Sequence, residues 1–290
     1  METNKVHKNV SLTKFNSWKV GGKAENFVIC SDIRFLSQLI KNKKVQRPIK
    51  FIGLGSNILV RDNGVKGTTI VMHKGLNNFF KEEELFYSEA GLSCSKFSKL
   101  IAKEGYIDSA FLSGIPGTIG GALAMNAGCY GSEIWSFVKK VKMINADGDL
   151  IERNPNEFKV GYRKIQKKND TENFVGAWFS FPKGKKLEAE ESIRKLLSHR
   201  KSTQPLSWPS AGSTFKNPDN NHAAKLIEDC GLKGFKIGDA KISEKHANFI
   251  INLGAAKAKD IEDLIKHIKK IVFKETKIKL IPEVEIIGDV

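Results

Sequence analysis

Residues 113–131 read SGIPGTIGGALAMNAGCYG, with six glycines in nineteen positions. Glycine inside a helix or strand costs roughly 0.5–1 kcal/mol relative to alanine, so this density predicts an irregular segment. The intervening residues are mostly apolar or small, which predicts a buried loop and not a flexible linker. Consecutive backbone N–H groups in such a loop form a concave site for an anion such as phosphate. The same composition suits a tightly packed structural turn, so the segment alone leaves both interpretations open.

A second glycine-rich segment, GLGSNILV at residues 53–60, directly follows the apolar run Ile49–Ile52. A strand that leads into a Gly-Ser-Asn turn offers phosphate oxygens backbone N–H groups together with a hydroxyl and an amide. The pattern differs from the Rossmann fingerprint, because it lacks the third glycine and an apolar strand-like run follows it in place of a helix. It also lacks the Gly-Lys-Ser/Thr end of a P-loop. Two separated segments of this kind predict a large dinucleotide held across two lobes.

Both glycine-rich segments resemble the FAD-binding segments of the UDP-N-acetylenolpyruvoylglucosamine reductase family. Three further short motifs, each unspecific by itself, occur in the order that the family shows. The chain resembles the shorter family type, because its C-terminal third lacks a tyrosine-rich insertion, and Glu285 departs from the basic residue that many relatives carry there. The resemblance extends from about Phe15 to Gly288 and is carried by Gly53–Val60, Ser113–Gly121, Asn126–Gly128, Gly161–Arg163, Gly212–Pro218 and Pro282–Val284.

The resemblance implies an α+β fold. It consists of a two-lobed FAD-binding region of the vanillyl-alcohol-oxidase/p-cresol-methylhydroxylase type and a C-terminal α+β substrate-binding domain. The segment Pro182–Lys186 is the predicted boundary, because it combines a proline, a glycine and several charges. The predicted domains are residues 1–182, with lobes at about 1–72 and 73–182, and residues 183–290, whose terminal strand returns to the active site.

Local patterns predict the elements of both domains from apolar periodicity, capping residues and turn signals. The predicted helices begin after Ser31 or Asp32 and after Ser93 or Ser95, span about 187–198 and 223–230, and include the apolar stripe Ile261–Ile271. The predicted strands are residues 26–30, 49–52, 68–72, 84–90, 139–145, 150–152, 173–181 and 279–288.

The composition is that of an ordinary soluble globular protein, with 40% apolar and 28% charged residues among 290. No run approaches the ~20 apolar residues of a membrane span, and the polar start Met1–Lys5 lacks the hydrophobic core of an export signal. The four cysteines are scattered without ligand spacing, which predicts a reduced, cytoplasmic protein with no metal site. The net charge of +16 comes from lysines spread along the chain, which indicates a lysine-rich surface in place of a nucleic-acid site and adds a field that favours anionic ligands.

For the reaction, the resemblance implies an NADPH-dependent reduction with non-covalently bound FAD. The enolpyruvyl group of UDP-N-acetylglucosamine-enolpyruvate is reduced to give UDP-N-acetylmuramate, a precursor of peptidoglycan. Hydride passes from flavin N5 to C3 of the double bond, and Ser213 protonates C2. Arg163 stabilises the enolate-like charge that spreads into the substrate carboxylate, and Glu283 assists as a neutral acid that donates a hydrogen bond. Arg163, Ser213 and Glu283 are therefore the predicted catalytic residues.

The resemblance also implies the binding residues and partners. The expected partners are small molecules (NADPH and the UDP-sugar) without nucleic acid or membrane, and the protein is expected to be a monomer. Cys129 is interpreted as a small apolar filler. The predicted cofactor-binding residues are Gly53, Gly55, Ser56, Asn57, Leu59, Ser113, Gly114, Pro116, Gly117, Thr118, Gly120, Gly121, Asn126 and Gly128. The predicted substrate contacts are Tyr162, Gln204, Lys216 and Asn217.

Two alternative functions stay open at the level of sequence. Another FAD oxidoreductase of the same superfamily would share both glycine-rich segments, but an oxidase would have no use for a proton donor such as Ser213. A basic nucleic-acid-binding protein would interleave aromatic and basic residues in stripes, which this sequence does not do. A flavin spectrum of the purified protein distinguishes the nucleic-acid-binding protein from the reductase and from another FAD oxidoreductase.

Overall fold

The chain divides into two units in the computed structural model, which describes residues 2–290. The first unit takes the described residues up to Lys8 together with Asn26–Leu54 and Gly67–Arg200, and the second takes Asn9–Glu25, Gly55–Lys66 and Lys201–Val290. Met1, where the predicted first domain begins, lies outside the described residues. The predicted division after residue 182 stays a prediction, and the units differ from it because two N-terminal segments cluster with the C-terminal residues.

The secondary structure mixes helices and short strands in both units. The helices are α1 Ile33–Lys41, α2 Cys94–Lys103, α3 Ala110–Ser113, α4 Ile119–Met125, α5 Lys186–Thr203, α6 Ala223–Asp229 and α7 Ala258–Thr276. The strands are β1 His7–Ser11, β2 Lys23–Ile29, β3 Ile49–Ile52, β4 Ile58–Val60, β5 Val65–Val71, β6 Phe79–Glu82, β7 Leu85–Glu89, β8 Gly128–Cys129, β9 Ser132–Glu133, β10 Val138–Ile144, β11 Leu150–Arg153, β12 Lys159–Gly161, β13 Lys164–Gln166, β14 Asn173–Phe179, β15 Lys236–Ile237, β16 Ala240–Ile242, β17 Ile250–Asn252 and β18 Glu285–Ile287.

A five-stranded antiparallel sheet in the order β11-β10-β14-β7-β6 forms the centre of the first unit. The fully buried side chain of Phe179 on β14 joins those of Phe97 on α2 and Leu123 on α4 in the largest apolar cluster of this unit. Helix α2 begins at the predicted cap, because the Ser93 hydroxyl accepts a hydrogen bond from the Lys96 N–H at 3.3 Å. The cluster thus fixes α2 and α4 relative to the sheet.

A second sheet has the order β1-β2-β5-β3, and β3 pairs in parallel with β5 from Ile49↔Thr68 to Ile52↔Val71. Helix α1 buries Leu36 and Leu39 in a cluster with residues of this sheet. Asp32 caps α1, since its carboxylate accepts a hydrogen bond from the Phe35 N–H at 2.8 Å. Strand β3 therefore delivers the residues after Ile52 from a buried, hydrogen-bonded position.

The second unit contains the three-stranded sheet β15-β16-β17, helices α6 and α7, and the parallel pair of β4 with β18. The predicted stripe of α7 is buried at Ile261, Leu264, Ile265 and Ile268, which confirms this helix and its buried face. These residues pack in one cluster with Trp18, whose indole N–H donates to the Ile250 carbonyl at 2.7 Å.

Two predicted elements differ from the structure. Residues 119–125 were expected in a loop but form α4, because Gly120 packs against Ala90 and its N–H donates to the Ala90 carbonyl at 2.8 Å. Tertiary packing here outweighs the low helix propensity of glycine. The predicted terminal strand 279–288 shortens to Glu285–Ile287, because Pro282 lacks the N–H that a continuous ladder requires.

Among residues 2–290, the structure contains no helix that combines the length and the hydropathy needed to cross a membrane.

The burial of Trp18 gives a prediction for stability. Trp18 is 0% exposed, so Trp18→Ala should lower the free energy of unfolding by about 3–5 kcal/mol. Trp208 is 44% exposed, and Trp208→Ala is the matched control, with an expected loss below about 1 kcal/mol. Urea unfolding of both variants measures the difference. Equal losses would contradict the position of Trp18 in the core.

Candidate functional site

The two glycine-rich segments meet within the first unit at Gly53 and Thr118. A Cβ atom on Gly53 would lie 2.4 Å from the Thr118 hydroxyl, so only glycine permits this approach. Thr118 is itself fixed, because its hydroxyl accepts a hydrogen bond from the Gly121 N–H at 3.3 Å and caps α4. The sequence segments at 53 and 118 therefore form one structural site.

The neighbouring glycines of α4 have different surroundings. A Cβ on Gly120 would lie 2.7 Å from the Ala90 Cβ, so this glycine is required by packing. Gly121 is exposed, and outside the helix itself a Cβ there would meet only the Thr118 hydroxyl within 4 Å among the described residues, at 3.7 Å. The backbone at Gly121 is thus uncovered, which fits a cofactor that approaches the chain closely.

Other predicted cofactor residues of the first unit range from buried to exposed. Ser113 is buried, and its hydroxyl donates to the Ala110 carbonyl at 2.6 Å. Gly128 is required by packing, because a Cβ there would lie 2.3 Å from the Ser132 carbonyl oxygen. Half-buried or exposed positions in the same segment are Gly114, Pro116 and Gly117.

Arg163 lies at the tip of the hairpin β12–β13 and has left-handed backbone geometry, with φ of 51°. Such a conformation is uncommon for a residue other than glycine and often marks a functional position. The guanidinium donates to the carbonyls of Asn126 at 3.3 Å and Gly128 at 2.6 Å. The Asn126 amide in turn donates to the Gly161 carbonyl at 3.2 Å. The predicted catalytic arginine is therefore joined directly to the end of the long glycine-rich segment.

A thiol, a phenol and a second guanidinium, those of Cys129, Tyr130 and Arg200, lie close together just after Gly128. Burial raises the pKa of the Cys129 thiol to about 11, although the guanidiniums of Arg163 and Arg200 act in the opposite direction. The thiol is therefore protonated at neutral pH, as expected for an apolar filler. Burial also raises the pKa of Tyr130, whose ring packs edge-on against His199 with centroids 5.9 Å apart. Tyr130 and Arg200 were not predicted from the sequence, although Tyr130 lies two positions after Gly128, where a segment that carries the resemblance ends.

In the second unit, Glu283 is held by its backbone between two segments that are distant in sequence. Its N–H donates to the Thr214 carbonyl at 2.9 Å, and its carbonyl accepts from the Asn57 amide at 3.0 Å. Ser213 precedes Thr214 and is half-buried, as is Glu283. The structure therefore brings the predicted residues Asn57, Ser213 and Glu283 into one neighbourhood.

The turn that carries Asn57 is fixed by strand pairing and by close packing. The Glu285 N–H donates to the Asn57 carbonyl at 3.0 Å, where β18 begins its parallel pairing with β4. A Cβ on Gly55 would lie 2.1 Å from the Phe15 carbonyl oxygen, so this glycine is required by packing. Of the other predicted cofactor residues here, Leu59 is fully buried and Ser56 is half-buried.

Asn248 is a further residue of this neighbourhood that the sequence analysis missed. Its amide oxygen accepts from the Phe215 N–H at 2.9 Å, and its amide nitrogen donates to the Phe215 carbonyl at 2.8 Å. Its own carbonyl accepts from the Thr214 N–H at 2.8 Å. Asn248 thus fixes the backbone that follows Ser213. The signal available in the sequence was an asparagine within the apolar run Ala247–Ile251.

Gln204 lines a cavity of 420 Å³ in the second unit. Lys201 and Lys245 contribute positive charge to this cavity, Lys241 and Glu244 line it as an ion pair, and the indole of Trp208 contributes a flat apolar surface. This combination suits an anionic ligand that carries a ring.

The other predicted substrate residues are Lys216, which is placed by a backbone hydrogen bond, and Asn217 and Tyr162, whose side chains make contacts of their own. The Lys216 N–H donates to the Ile281 carbonyl at 2.9 Å, which continues the pairing beside Glu283. The Asn217 amide oxygen accepts from the Ala223 N–H at 3.1 Å and supports the start of α6. In the first unit, Tyr162 is 50% exposed, and its ring centroid lies 5.3 Å from the Arg163 Cζ.

Comparisons with known proteins match both the N-terminal and the C-terminal part of the chain. A family model described as an FAD binding domain matches residues 25–154, and the model of the C-terminal domain of UDP-N-acetylenolpyruvoylglucosamine reductase matches residues 204–287. The Nitrosomonas eutropha protein named UDP-N-acetylenolpyruvoylglucosamine reductase is 46% identical, covering 94% of this chain and 85% of its own length. A Coxiella burnetii protein of the same name is 42% identical, covering 96% and 94%. The crystal structure of the Thermus caldophilus reductase superimposes with a TM-score of 0.84 at 30% identity, covering 98% of this chain and 99% of its own.

The α+β fold, with an FAD-binding region and a C-terminal domain of its own, defines an FAD-dependent oxidoreductase. The chain belongs to the UDP-N-acetylenolpyruvoylglucosamine reductase family. The predicted fold class, family and FAD cofactor are thereby confirmed.

The two glycines of α4 give a paired prediction. Gly120→Ala should destabilise the protein by about 1–3 kcal/mol, because the new methyl overlaps Ala90. Gly121→Ala should leave stability unchanged or raise it by up to about 1 kcal/mol, because alanine favours the helix. The same methyl should weaken FAD binding, since it occupies the uncovered backbone. Thermal unfolding without added flavin and FAD titration separate the two effects. Unchanged FAD affinity of Gly121→Ala would show that the cofactor does not approach this position.

Proposed function

We propose that the protein catalyses the NADPH-dependent reduction of UDP-N-acetylglucosamine-enolpyruvate to UDP-N-acetylmuramate, in the synthesis of peptidoglycan precursors in the cytoplasm. The observation that carries the proposal is the hydrogen-bonded neighbourhood of Asn57, Ser213 and Glu283 in the second unit. The shared name of the relatives and the FAD-binding match support it. All four cysteines are free, as expected in a reducing compartment.

Bound FAD would supply the redox chemistry, taking hydride from NADPH and delivering it from N5 to C3 of the enolpyruvyl group. In the first unit, the backbone groups of Gly53, Thr118 and Gly121 would hold the FAD. Gly53 and Thr118 hold the two segments together, and the exposed Gly121 offers the uncovered backbone that a flavin dinucleotide can approach closely.

Arg163 is proposed to stabilise the negative charge that develops on the substrate. Hydride addition at C3 places charge at C2, and this charge spreads into the adjacent carboxylate. A guanidinium stays protonated and can bind a carboxylate in two-pronged geometry. The carbonyls of Asn126 and Gly128 hold this guanidinium in place before substrate binds, so little reorganisation is needed during the reaction.

Ser213 is proposed to donate the proton to C2. A serine hydroxyl is a weak acid, so this step requires a strongly basic carbon and close positioning. Asn248 fixes the backbone directly after Ser213, and the pairing of Thr214 with Glu283 fixes it from the other side. A rigid backbone restricts the positions available to the hydroxyl.

Glu283 is proposed to assist as a protonated acid that donates a hydrogen bond to the developing enolate. Tyr162, Gln204, Lys216 and Asn217 are proposed to contact the substrate. For Gln204 the support is the cavity with the ammonium groups of Lys201 and Lys245 and an indole surface, which suits a nucleotide sugar.

The role of Ser213 is tested by separating the two half-reactions. Ser213→Ala should leave flavin reduction by NADPH nearly intact and slow reoxidation by the enolpyruvyl substrate by about 10³-fold, because only the second step needs its proton. Stopped-flow absorbance of the flavin measures both rates. Ser192→Ala, an exposed serine on α5, is the matched control and should change neither. Equal impairment of both half-reactions in Ser213→Ala would contradict the proton-donor role.

A further inference from the structure

His73 contacts the short glycine-rich segment, although it lies outside every motif of the sequence analysis. Its Nδ1 lies 2.8 Å from the Gly53 carbonyl oxygen. A carbonyl oxygen can only accept a hydrogen bond, so Nδ1 must carry the hydrogen. The imidazole, which is half-buried, therefore acts as a fixed donor to the first residue of this segment.

This hydrogen bond determines the direction of the peptide between Gly53 and Leu54. In a planar trans peptide, the carbonyl of one residue and the N–H of the next point in opposite directions. With the Gly53 carbonyl held by His73, the Leu54 N–H is directed to the other side of the peptide. The Thr118 side chain packs against the Gly53 Cα, where a Cβ would lie only 2.4 Å from its hydroxyl. The peptide is thus restrained at two points.

We propose that His73 is a positioning residue of the flavin site, which orients the Gly53–Leu54 peptide so that the Leu54 N–H binds the diphosphate of FAD. The proposal rests on the FAD-binding assignment of residues 25–154 and does not depend on the sugar-nucleotide substrate. A single misdirected peptide removes one donor from an anion site that is built from backbone N–H groups.

The electrostatics of His73 agree with this role. Burial lowers the pKa of His73, the hydrogen bond to Gly53 opposes this shift, and the neighbouring Lys74 adds to it. The ring is therefore neutral at neutral pH and serves as a directional donor. Its function should then depend on the position of one N–H group and not on charge.

Two amide substitutions test this geometry. The side-chain nitrogen of asparagine reaches about the position of Nδ1, whereas that of glutamine reaches about the position of Nε2. His73→Asn should therefore keep FAD affinity within about 3-fold of the native protein, and His73→Gln and His73→Leu should weaken it by about 10-fold or more, the effect of losing one hydrogen bond at a charged ligand. FAD release on dilution of the holoenzyme, followed by flavin fluorescence, measures these affinities.

The controls separate positioning from folding and from the proposed reaction. His267→Leu removes a half-buried imidazole that stacks on Phe235, and it should leave FAD affinity unchanged. Melting temperatures at saturating FAD should agree within a few degrees for all four variants. Native-like FAD affinity in His73→Leu, or equal losses in His73→Asn and His73→Gln, would overturn the proposal. A native protein that binds FAD but does not reduce the enolpyruvyl substrate would refute the proposed function alone.

Discussion

The close approach of Gly53 to Thr118 is the constraint on which the proposed flavin site depends. A single methyl group at residue 53 would lie 2.4 Å from the Thr118 hydroxyl and force the two glycine-rich segments apart. The contact joins the end of β3 to the start of α4, and each partner is held separately. His73 holds the Gly53 carbonyl, and the Gly121 N–H holds the Thr118 hydroxyl. The site is therefore defined by backbone positions, with side chains that act mainly on the backbone.

In the second unit, the residues proposed to act on the substrate are likewise fixed through hydrogen bonds to their backbone. The backbone of Glu283 is bonded to Thr214 on one side and to Asn57 on the other, so three separate parts of the sequence depend on each other for their positions. Asn248 adds two hydrogen bonds to the residue after Thr214. Such mutual bonding keeps weakly acidic groups like a serine hydroxyl in a narrow range of positions, which proton transfer requires.

Much of this arrangement could be predicted from the sequence, because it depends on local signals. The caps at Asp32 and Ser93 and the apolar stripe of α7 were visible as patterns, and the structure confirms all three. The remainder depends on contacts between distant residues. Helix α4 exists because Ala90, some thirty positions earlier, accepts the Gly120 N–H. His73 and Asn248 act on the backbone of distant segments, and no spacing rule links them to their partners.

The surroundings of Arg163 also depend on contacts that the sequence does not predict. Its place in a short motif was visible, but its left-handed backbone and its bonds to Asn126 and Gly128 were not. A two-residue hairpin tip normally favours glycine or asparagine, so an arginine there signals a constraint beyond folding. The proximity of Arg200, about seventy positions later, to Cys129 and Tyr130 was likewise not visible in the sequence.

The most direct test of the account is an anaerobic experiment on the purified protein with its own flavin. We expect about one FAD released per chain on denaturation, loss of the oxidised flavin absorbance with one equivalent of NADPH, and its return when UDP-N-acetylglucosamine-enolpyruvate is added. A protein that binds no flavin, or whose reduced flavin is unchanged by the enolpyruvyl substrate, would contradict it.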